Sequence, residues 1–212
     1  MRNLTLIAVL ILLTGCATQS KKLDMSAFNA AAPRSILVVP VINKSLDVDA
    51  PNYMLSTLPI PLAEKGYYIF PVNTTKYVLE QEGMYEANRI HMEPPESLAK
   101  LFGADAVLYV TINRWDATYA LLVTTVTVDF DYRMVSKDGT EIWKEHQTME
   151  YSPQNNNNSG SPLAAVIGAL INAALTRAAP NYIPLAQQAN QQVFVLGQNA
   201  IPNGPYLTKK AP

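Results

Sequence analysis

An apolar run near the amino terminus ends close to the only cysteine in the chain. One positive charge, Arg2, precedes the nearly all-apolar residues 4–13, and two small residues then lead to Cys16. The run has the length of a signal-peptide core and is shorter than the about 20 residues that a membrane-spanning helix needs. We therefore expect residues 1–15 to be a signal peptide that is absent from the folded protein.

The end of this segment, Leu13-Thr14-Gly15-Cys16, resembles a bacterial lipobox. The resemblance implies lipidation of the Cys16 thiol, cleavage before it and acylation of the new amino terminus. The alternative is a plain secretory peptide with an incidental buried cysteine, but the position and uniqueness of Cys16 favour the lipoprotein. Ala17, rather than aspartate, fits the enterobacterial rule for sorting to the outer membrane, so we expect anchoring on its periplasmic side. Because no other cysteine exists, no disulfide can form and stability must come from packing.

The composition is that of a globular domain. The 212 residues are 49% hydrophobic and 16% charged, with a formal net charge of −1. This supports one domain with a real core and offers no basic field for nucleic acid, which we exclude as a partner. We expect a lipidated tether over residues 16–33, an α/β domain over residues 34–198 and a flexible tail over residues 199–212.

The first half of the domain alternates between strand and helix patterns. The β-branched run over residues 35–42 predicts a strand covered on both faces, with Pro40 marking a bulge or an edge. The predicted elements that follow are a helix over residues 53–65 split by Pro59 and Pro61 and ended by Gly66, a strand over 67–72, a helix from 73 or 74 to 81 or 82, and a helix over 95–102. This alternation predicts parallel βαβ pairing.

The pattern then changes to long alternating strands. The predicted elements are a hairpin of residues 104–114 and 121–135 connected near 116–119, a turn at residues 137–139 and a third strand over 141–151. In the second strand, even-numbered residues from 122 to 134 should face the core, while Asp129, Asp131 and Arg133 should face solvent. We therefore predict an α/β fold: a single domain with a mixed β-sheet, a βαβ start and an antiparallel meander, flanked by helices.

Two further helices are predicted after an asparagine-rich loop at residues 154–160, over 163–177 and 181–196. The first has an apolar stripe that its own sheet can cover. The side of this helix opposite the stripe has no charged residue and carries small or apolar residues, namely Ala164, Ala165, Gly168, Asn172 and Leu175. Small side chains let a second helix approach closely. We predict that this side docks another protomer or a partner subunit; the alternative is burial within the monomer.

Three motifs in a fixed order carry a family resemblance: ILVVPVIN at residues 36–43, GADAVL at 103–108 and VSKDGTEIW at 135–143. The chain resembles, over nearly its whole length, a family of outer-membrane lipoproteins of unknown function first noted as genome-derived neisserial vaccine antigens. Over residues 35–151 it resembles, more distantly, the curli-secretion-channel lipoproteins and the amino-terminal domain of TolB. The resemblance implies a periplasmic α/β domain on a lipid anchor that takes part in envelope assembly, secretion or transport. Unlike the curli channel, this chain has no inserted strand pair, and charges on its hairpin argue against a pore.

The sequence contains no familiar catalytic or metal motif. His91, expected in a loop, and His146, expected at a strand edge, lack companions at metal-ligand spacing and should be solvated or locally bonded. Asp129 and Asp131 share a strand face and could act as paired carboxylates for acid–base work or calcium, with Glu145 or Glu150 opposite, but a solvated sheet face is favoured. We predict no catalytic residue, no cofactor and no metal.

Aromatic residues at positions 67, 68, 115 and 143 could form a carbohydrate-stacking surface, but on strands such residues ordinarily pack in the core. The resulting expectation is a non-enzymatic component of an envelope complex, assembled as a homo-oligomer or with partner envelope lipoproteins. The alternative is a periplasmic small-ligand or peptidoglycan-binding module, which a concave pocket with converging polar groups would mark. A hydrolase ranks third.

Overall fold

The computed structural model describes residues 22–120, 123–151 and 182–207. The strands of this part are β1 Ser35–Val38, β2 Ile42–Asn43, β3 Tyr68–Ile69, β4 Ala106–Ala120, β5 Val123–Ser136 and β6 Glu141–Tyr151. The helices are α1 Ser26–Ala31, α2 Ala50–Thr57, α3 Pro59–Glu64, α4 Val72–Gln81, α5 Ala87–Met92, α6 Pro95–Phe102 and α7 Ile183–Gln191, which continues as a π-helical turn over Gln192–Leu196. The strands form one mixed sheet in the order β3-β1-β4-β5-β6, with β2 beside β4. The predicted α/β fold is confirmed.

Strand β1 is central and parallel to both of its neighbours. Ile36 lies opposite Ile69 of β3 and Ala106 of β4. Its side chains alternate between two separate hydrophobic clusters, so both faces are buried, as the continuous apolar run predicted. Pro40 has no backbone N–H to donate, and the pairing with β4 resumes only at Ile42.

The antiparallel meander is longer than the sequence predicted. Strand β4 runs without interruption to Ala120 and pairs with β5 throughout, so the predicted connection at residues 116–119 is wrong. Asp116 is tolerated there because it is exposed and lies 3.0 Å from the Arg114 guanidinium. A β-bulge between Ile112 and Arg114 shifts the alternation by one residue and turns Asn113 toward the polar side of the sheet.

Helices cover the two faces of the sheet unequally. Helices α1, α2, α3 and α7 pack on one face over an aromatic core, while α4, α5 and α6 bury a smaller cluster on the other face beside β1. The predicted aromatic packing is confirmed for Trp115 and Trp143, which are buried, but Tyr68 is about half exposed. Helix α5 was not predicted. Among the described residues, none of the helices combines the length and apolar character that crossing a bilayer requires.

The folded body extends beyond both predicted ends. Helix α1 lies within the predicted tether, and its Phe28 is buried edge-on against Tyr67. Within the predicted tail, Ile201 is buried and the Gly204 N–H donates to the Lys65 carbonyl at 2.7 Å. The tether and tail predictions are therefore wrong for residues 22–33 and 199–207, because one aromatic anchor and a few backbone hydrogen bonds fix segments whose composition looks mobile.

Candidate functional site

A cluster of polar side chains occupies the open part of the sheet, away from α4, α5 and α6. It consists of Asn113 from the bulge of β4, Asp129 and Asp131 from β5, and His146 and Thr148 from β6. We call these five residues the polar cluster. The two carboxylates predicted from the sequence do share one face, and the structure adds three partners to them.

Every carboxylate oxygen of the polar cluster has a hydrogen-bond partner. The Asn113 amide Nδ2 donates to Asp129 Oδ1 at 2.9 Å and to Asp131 Oδ2 at 2.7 Å. The Thr148 hydroxyl donates to Asp129 Oδ2 at 2.8 Å, and His146 Nδ1 lies 2.7 Å from Asp131 Oδ1. The network is therefore closed upon itself, and it ties three neighbouring strands together.

The network also shifts the pKa values of His146 and Asp131. The hydrogen bond to Asp131 raises the pKa of His146 above its ordinary value; partial burial opposes this rise, and the negative charge of Asp129 adds to it. Burial alone would raise the pKa of Asp131, but hydrogen bonds from Asn113 and His146 outweigh burial and lower it. Both side chains remain about half exposed, at 57% and 52%, so solvent weakens the pair.

His146 is locally bonded, as predicted, and its partner is Asp131. The placement of Glu145 or Glu150 opposite the carboxylates is wrong, because Glu145 pairs with Tyr132 and Glu150 with Thr127. The turn at residues 137–139 sets a register in which Val135 faces Glu141, but a bulge then shifts the pairing so that Asp131 faces His146. A slip of one residue moves each side chain to the other face of a sheet. Counting back from the turn therefore places the wrong residue of β6 beside Asp131.

His91 makes a local contact, as predicted, but it lies in α5 rather than in a loop. Its Nε2 lies 2.9 Å from the Pro40 carbonyl oxygen, and its ring meets Tyr109 edge-on with centroids 5.0 Å apart. Burial lowers the pKa of His91, the Pro40 carbonyl partly opposes this, and the charge of Arg133 adds to it. Arg133 itself stacks on Tyr109, with 4.4 Å from guanidinium carbon to ring centre. His91 therefore joins α5 to the sheet through Pro40 and Tyr109.

The amino-terminal segment is fastened along the outer strand of the sheet. The Leu23 N–H donates to the Asn199 side-chain oxygen at 2.9 Å, and the Asn199 amide donates to Glu145 at 3.1 Å. The Asn199 carbonyl accepts the Trp143 indole N–H at 2.8 Å. Asn199 thus joins the start of the folded body to β6, a role that no local sequence signal indicates.

A cleft of about 280 Å³ opens at the carboxyl end of β1. The chain that follows β1 and β2 forms α2 on one face of the sheet, whereas the chain that follows β3 forms α4 on the opposite face. Open α/β sheets form ligand crevices where neighbouring strands have connections on opposite faces. The polar residues of its wall are Asn43, Asn52, Lys76, Tyr85, Glu86 and Asn88. This is the concave pocket with polar groups on which the alternative function depends.

Comparison with known proteins identifies the family. The GNA1162-like lipoprotein model matches residues 23–206. The chain belongs to this family. Lipoprotein NMB1124/NMB1162 of Neisseria meningitidis serogroup B is 32% identical over 213 residues, which span 97% of this chain and 96% of that protein. The crystal structure of lipoprotein GNA1162 from Neisseria meningitidis is 37% identical, covers 68% of this chain and 100% of its own, and has a TM-score of 0.56. A PelC dodecamer from Paraburkholderia phytofirmans shares 14% identity over 88% of this chain and 100% of its own, with a TM-score of 0.48.

Membership in the GNA1162-like family confirms the predicted resemblance to the neisserial antigen family and makes this protein one of a family of lipoproteins. The family match begins at residue 23, next to Lys22, the first residue that the structure describes. Cys16 precedes this match and lies outside the described residues, so its lipidation stays a prediction. The predicted docking surface also lies outside the described residues; its members are Ala164, Ala165, Gly168, Asn172 and Leu175.

Proposed function

We propose that this protein is a lipid-anchored component of an assembly, secretion or transport complex on the periplasmic face of the outer membrane, and that it has no catalytic activity of its own. The observation that carries the proposal is the short distance along the chain between Cys16 and Leu23, whose N–H donates to the Asn199 side chain. A body held this close to a bilayer is suited to organising partners at the membrane surface.

The length of that connection has a firm upper limit. Leu23 is seven positions after Cys16, and even fully extended chain spans only about 3.3–3.6 Å per residue, or about 25 Å in total. The amino-terminal segment then lies against β6 through Asn199. The β6 side of the sheet would therefore be turned toward the lipid headgroups.

The closed network of the polar cluster supports a structural role for its carboxylates. A general acid or base must come within hydrogen-bond reach of the substrate proton that it transfers. In the polar cluster, both oxygens of Asp129 and both oxygens of Asp131 already have partners within the protein.

The anchor is tested with Cys16→Ala. Only the cysteine thiol can accept the diacylglyceryl group, so this variant should lose palmitate labelling and remain an unprocessed precursor, whereas Ser20→Ala should be labelled normally. Labelling that persists in Cys16→Ala would contradict the anchor. Sucrose-gradient separation of the two membranes tests the outer-membrane assignment, which recovery of the labelled protein in inner-membrane fractions would contradict.

The importance of a short connection is tested by inserting a flexible 20-residue glycine–serine segment after residue 20. The variant should be lipidated and folded, but it should lose the partners that co-purify with the natural protein from mildly solubilised membranes. A matched insertion of the same segment after residue 207 should keep them. Normal co-purification with the long connection would refute the proposal that closeness to the bilayer matters.

A peptidoglycan or small-ligand module remains the second candidate because of the cleft at the carboxyl end of β1. Its amide side chains and Lys76 could hydrogen-bond a polar ligand. If this is the function, the protein should co-sediment with purified peptidoglycan, and Lys76→Glu should reduce binding at least fivefold while Lys100→Glu, on the exposed side of α6, should not. Equal co-sedimentation of all three proteins would exclude the cleft.

A further inference from the structure

Two surfaces of unlike shape lie at opposite ends of β1 and β2. One is a loop of residues 44–49, which we call the projecting loop; it follows β2 at the carboxyl end of the parallel strands. The other is a depression beside Arg34 and Tyr67, the residues that precede β1 and β3. Nine residues of nearly extended chain separate the two ends, a distance of about 30 Å.

The projecting loop holds two apolar side chains out in solvent. Leu46 is 101% exposed and Val48 is 83% exposed. Asn43 fixes the loop from beneath: its side-chain oxygen accepts the Ser45 N–H at 3.0 Å and the Ser45 hydroxyl at 2.7 Å, and its amide donates to the Asp47 carbonyl at 2.8 Å. The loop is therefore braced in the form that exposes Leu46 and Val48, instead of folding them back onto the domain.

The depression, which we call the receiving cavity, has a volume of about 420 Å³. Its apolar walls come from α1 and from the carboxyl-terminal segment, and the residues concerned are Phe28, Ala32, Pro33, Tyr67, Pro202 and Pro205. The Tyr67 hydroxyl donates to the Pro202 carbonyl at 2.8 Å and fixes one wall to the other. A cavity of about 150 Å³ is enough to bind benzene, so the receiving cavity has room for a leucine and a valine side chain together.

The charges of the two surfaces are opposite. In the projecting loop, Asp47 lies between the two apolar residues and Asp49 follows them, while Lys44 is directed to the Asn113 side-chain oxygen at 3.1 Å. The one charged residue in the wall of the receiving cavity is Arg34. A guanidinium has five N–H donors, and the hydrogen bond described for Arg34 uses one of them, to the Tyr206 hydroxyl at 3.0 Å.

We propose that the projecting loop of one copy of this chain inserts Leu46 and Val48 into the receiving cavity of a second copy, with an aspartate of the loop paired to Arg34. The proposal names a partner within the envelope complex proposed above and rests on that function. Because loop and cavity are different surfaces at opposite ends, the contact is head-to-tail. Each copy keeps one unused loop or cavity, so assembly continues beyond a dimer into a ring or a filament.

Cysteine cross-linking of the full-length protein in isolated membranes tests this contact. The double variant Val48→Cys/Asn203→Cys places one thiol on the loop and one on the rim of the cavity. Oxidation should produce a ladder of dimers, trimers and larger species at least tenfold more abundant than in either single variant. In the lipidated protein the Cys16 sulfur is a thioether and forms no disulfide; cross-links through Cys16 of any unprocessed precursor appear equally in the single variants and give the background. As a matched control, Met92→Cys replaces Val48→Cys, because Met92 is similarly exposed, at 79%, but lies in α5.

Three results would overturn the proposal: no ladder in the double variant, a ladder of equal strength in the Met92→Cys control, or dimers from Val48→Cys alone, which would mean that two loops meet about a two-fold axis. Adding Leu46→Asp should abolish the ladder without unfolding the protein, since Leu46 has no contacts to lose. Arg34→Glu should weaken it at least fivefold, and Asp49→Lys should then restore it; undiminished cross-linking in Arg34→Glu would refute the charge pairing. Palmitate labelling reports the anchor separately, so a missing ladder in normally labelled protein refutes only this contact.

Discussion

The fully buried side chain of Asn190 holds α7 to the sheet and allows a quantitative test of the core. Its oxygen accepts the Tyr132 hydroxyl of β5 at 2.7 Å, and its amide donates to the Thr57 hydroxyl of α2 at 2.8 Å. Burial raises the pKa of Tyr132 far above its usual value, so this hydroxyl stays protonated and needs an acceptor. The substitution Asn190→Ala removes both bonds and leaves the tyrosine hydroxyl in apolar surroundings.

The cost can be estimated from these contacts. A buried hydroxyl without an acceptor costs about 1–3 kcal/mol, and the second hydrogen bond contributes about 1 kcal/mol. Asn190→Ala should therefore lower the free energy of unfolding by about 2–4 kcal/mol. Tyr132→Phe should cost about 1–2 kcal/mol, because it leaves only the Asn190 oxygen unpaired. The double variant should fall short of the sum by about 1–2 kcal/mol, since both substitutions break the same bond.

Urea denaturation followed by tryptophan fluorescence measures these values. Gln187→Ala, on the exposed side of the same helix, is the matched control and should change stability by less than about 0.5 kcal/mol. A loss below about 1 kcal/mol in Asn190→Ala, or strictly additive effects in the double variant, would show that the bond to Tyr132 does not hold α7 in place.

Three other predictions follow from the structure and the sequence. In urea denaturation, Gly66→Ala should destabilise the protein by more than Gly83→Ala. Both glycines have positive φ, of 87° and 77°, which costs other residues about 1–2 kcal/mol, but only at Gly66 would the added methyl group collide with the backbone of the carboxyl-terminal segment. Equal losses of stability in the two variants would contradict that packing. Folding raises the pKa of His146, so the charge on His146 stabilises the protein fully below the unfolded pKa of about 6.5, and this stabilisation is lost as pH rises through the higher folded pKa. The stability lost in His146→Gln should be below about 1 kcal/mol for so exposed a pair, and it should be larger at about pH 5 than at about pH 8. An equal loss at both pH values would refute the charged pair. Gly168→Glu and Ala165→Lys should give folded monomers that lose their oligomer or partner in light scattering; variants that unfold would favour burial within the monomer, and variants with unchanged assembly would make that face ordinary surface.

Periodicity was enough to predict the fold where side-chain pattern and backbone geometry agree. The β-branched run predicted central strand β1, and the glycine at position 103, with a φ of 69°, ends α6 where expected. Helix α5 escaped prediction because only Ile90 within it is buried. Six residues with one apolar anchor give no helical stripe that sequence periodicity can detect.

The polar cluster could be predicted only in part. Alternation placed Asp129 and Asp131 on one face, because period two holds along an uninterrupted strand. Asn113 and His146 join them through two bulges, one in β4 and one between β5 and β6. A bulge changes which residues face one another and has no local sequence signature here, so the partners of the carboxylates become visible only in three dimensions.

The strand order of the sheet also has a consequence for how the chain folds. The β4-β5-β6 meander pairs residues that are close in sequence, whereas Ile36 of β1 pairs with Ala106 of β4, which lies seventy residues further along the chain. Closing so long a loop is entropically costly and slow. We therefore expect the meander to form first and to act as the template on which β1 pairs. If the chain is exported amino terminus first, β1 and its neighbour β3 would emerge before β4 and would complete the sheet only after residues 106–151 have followed.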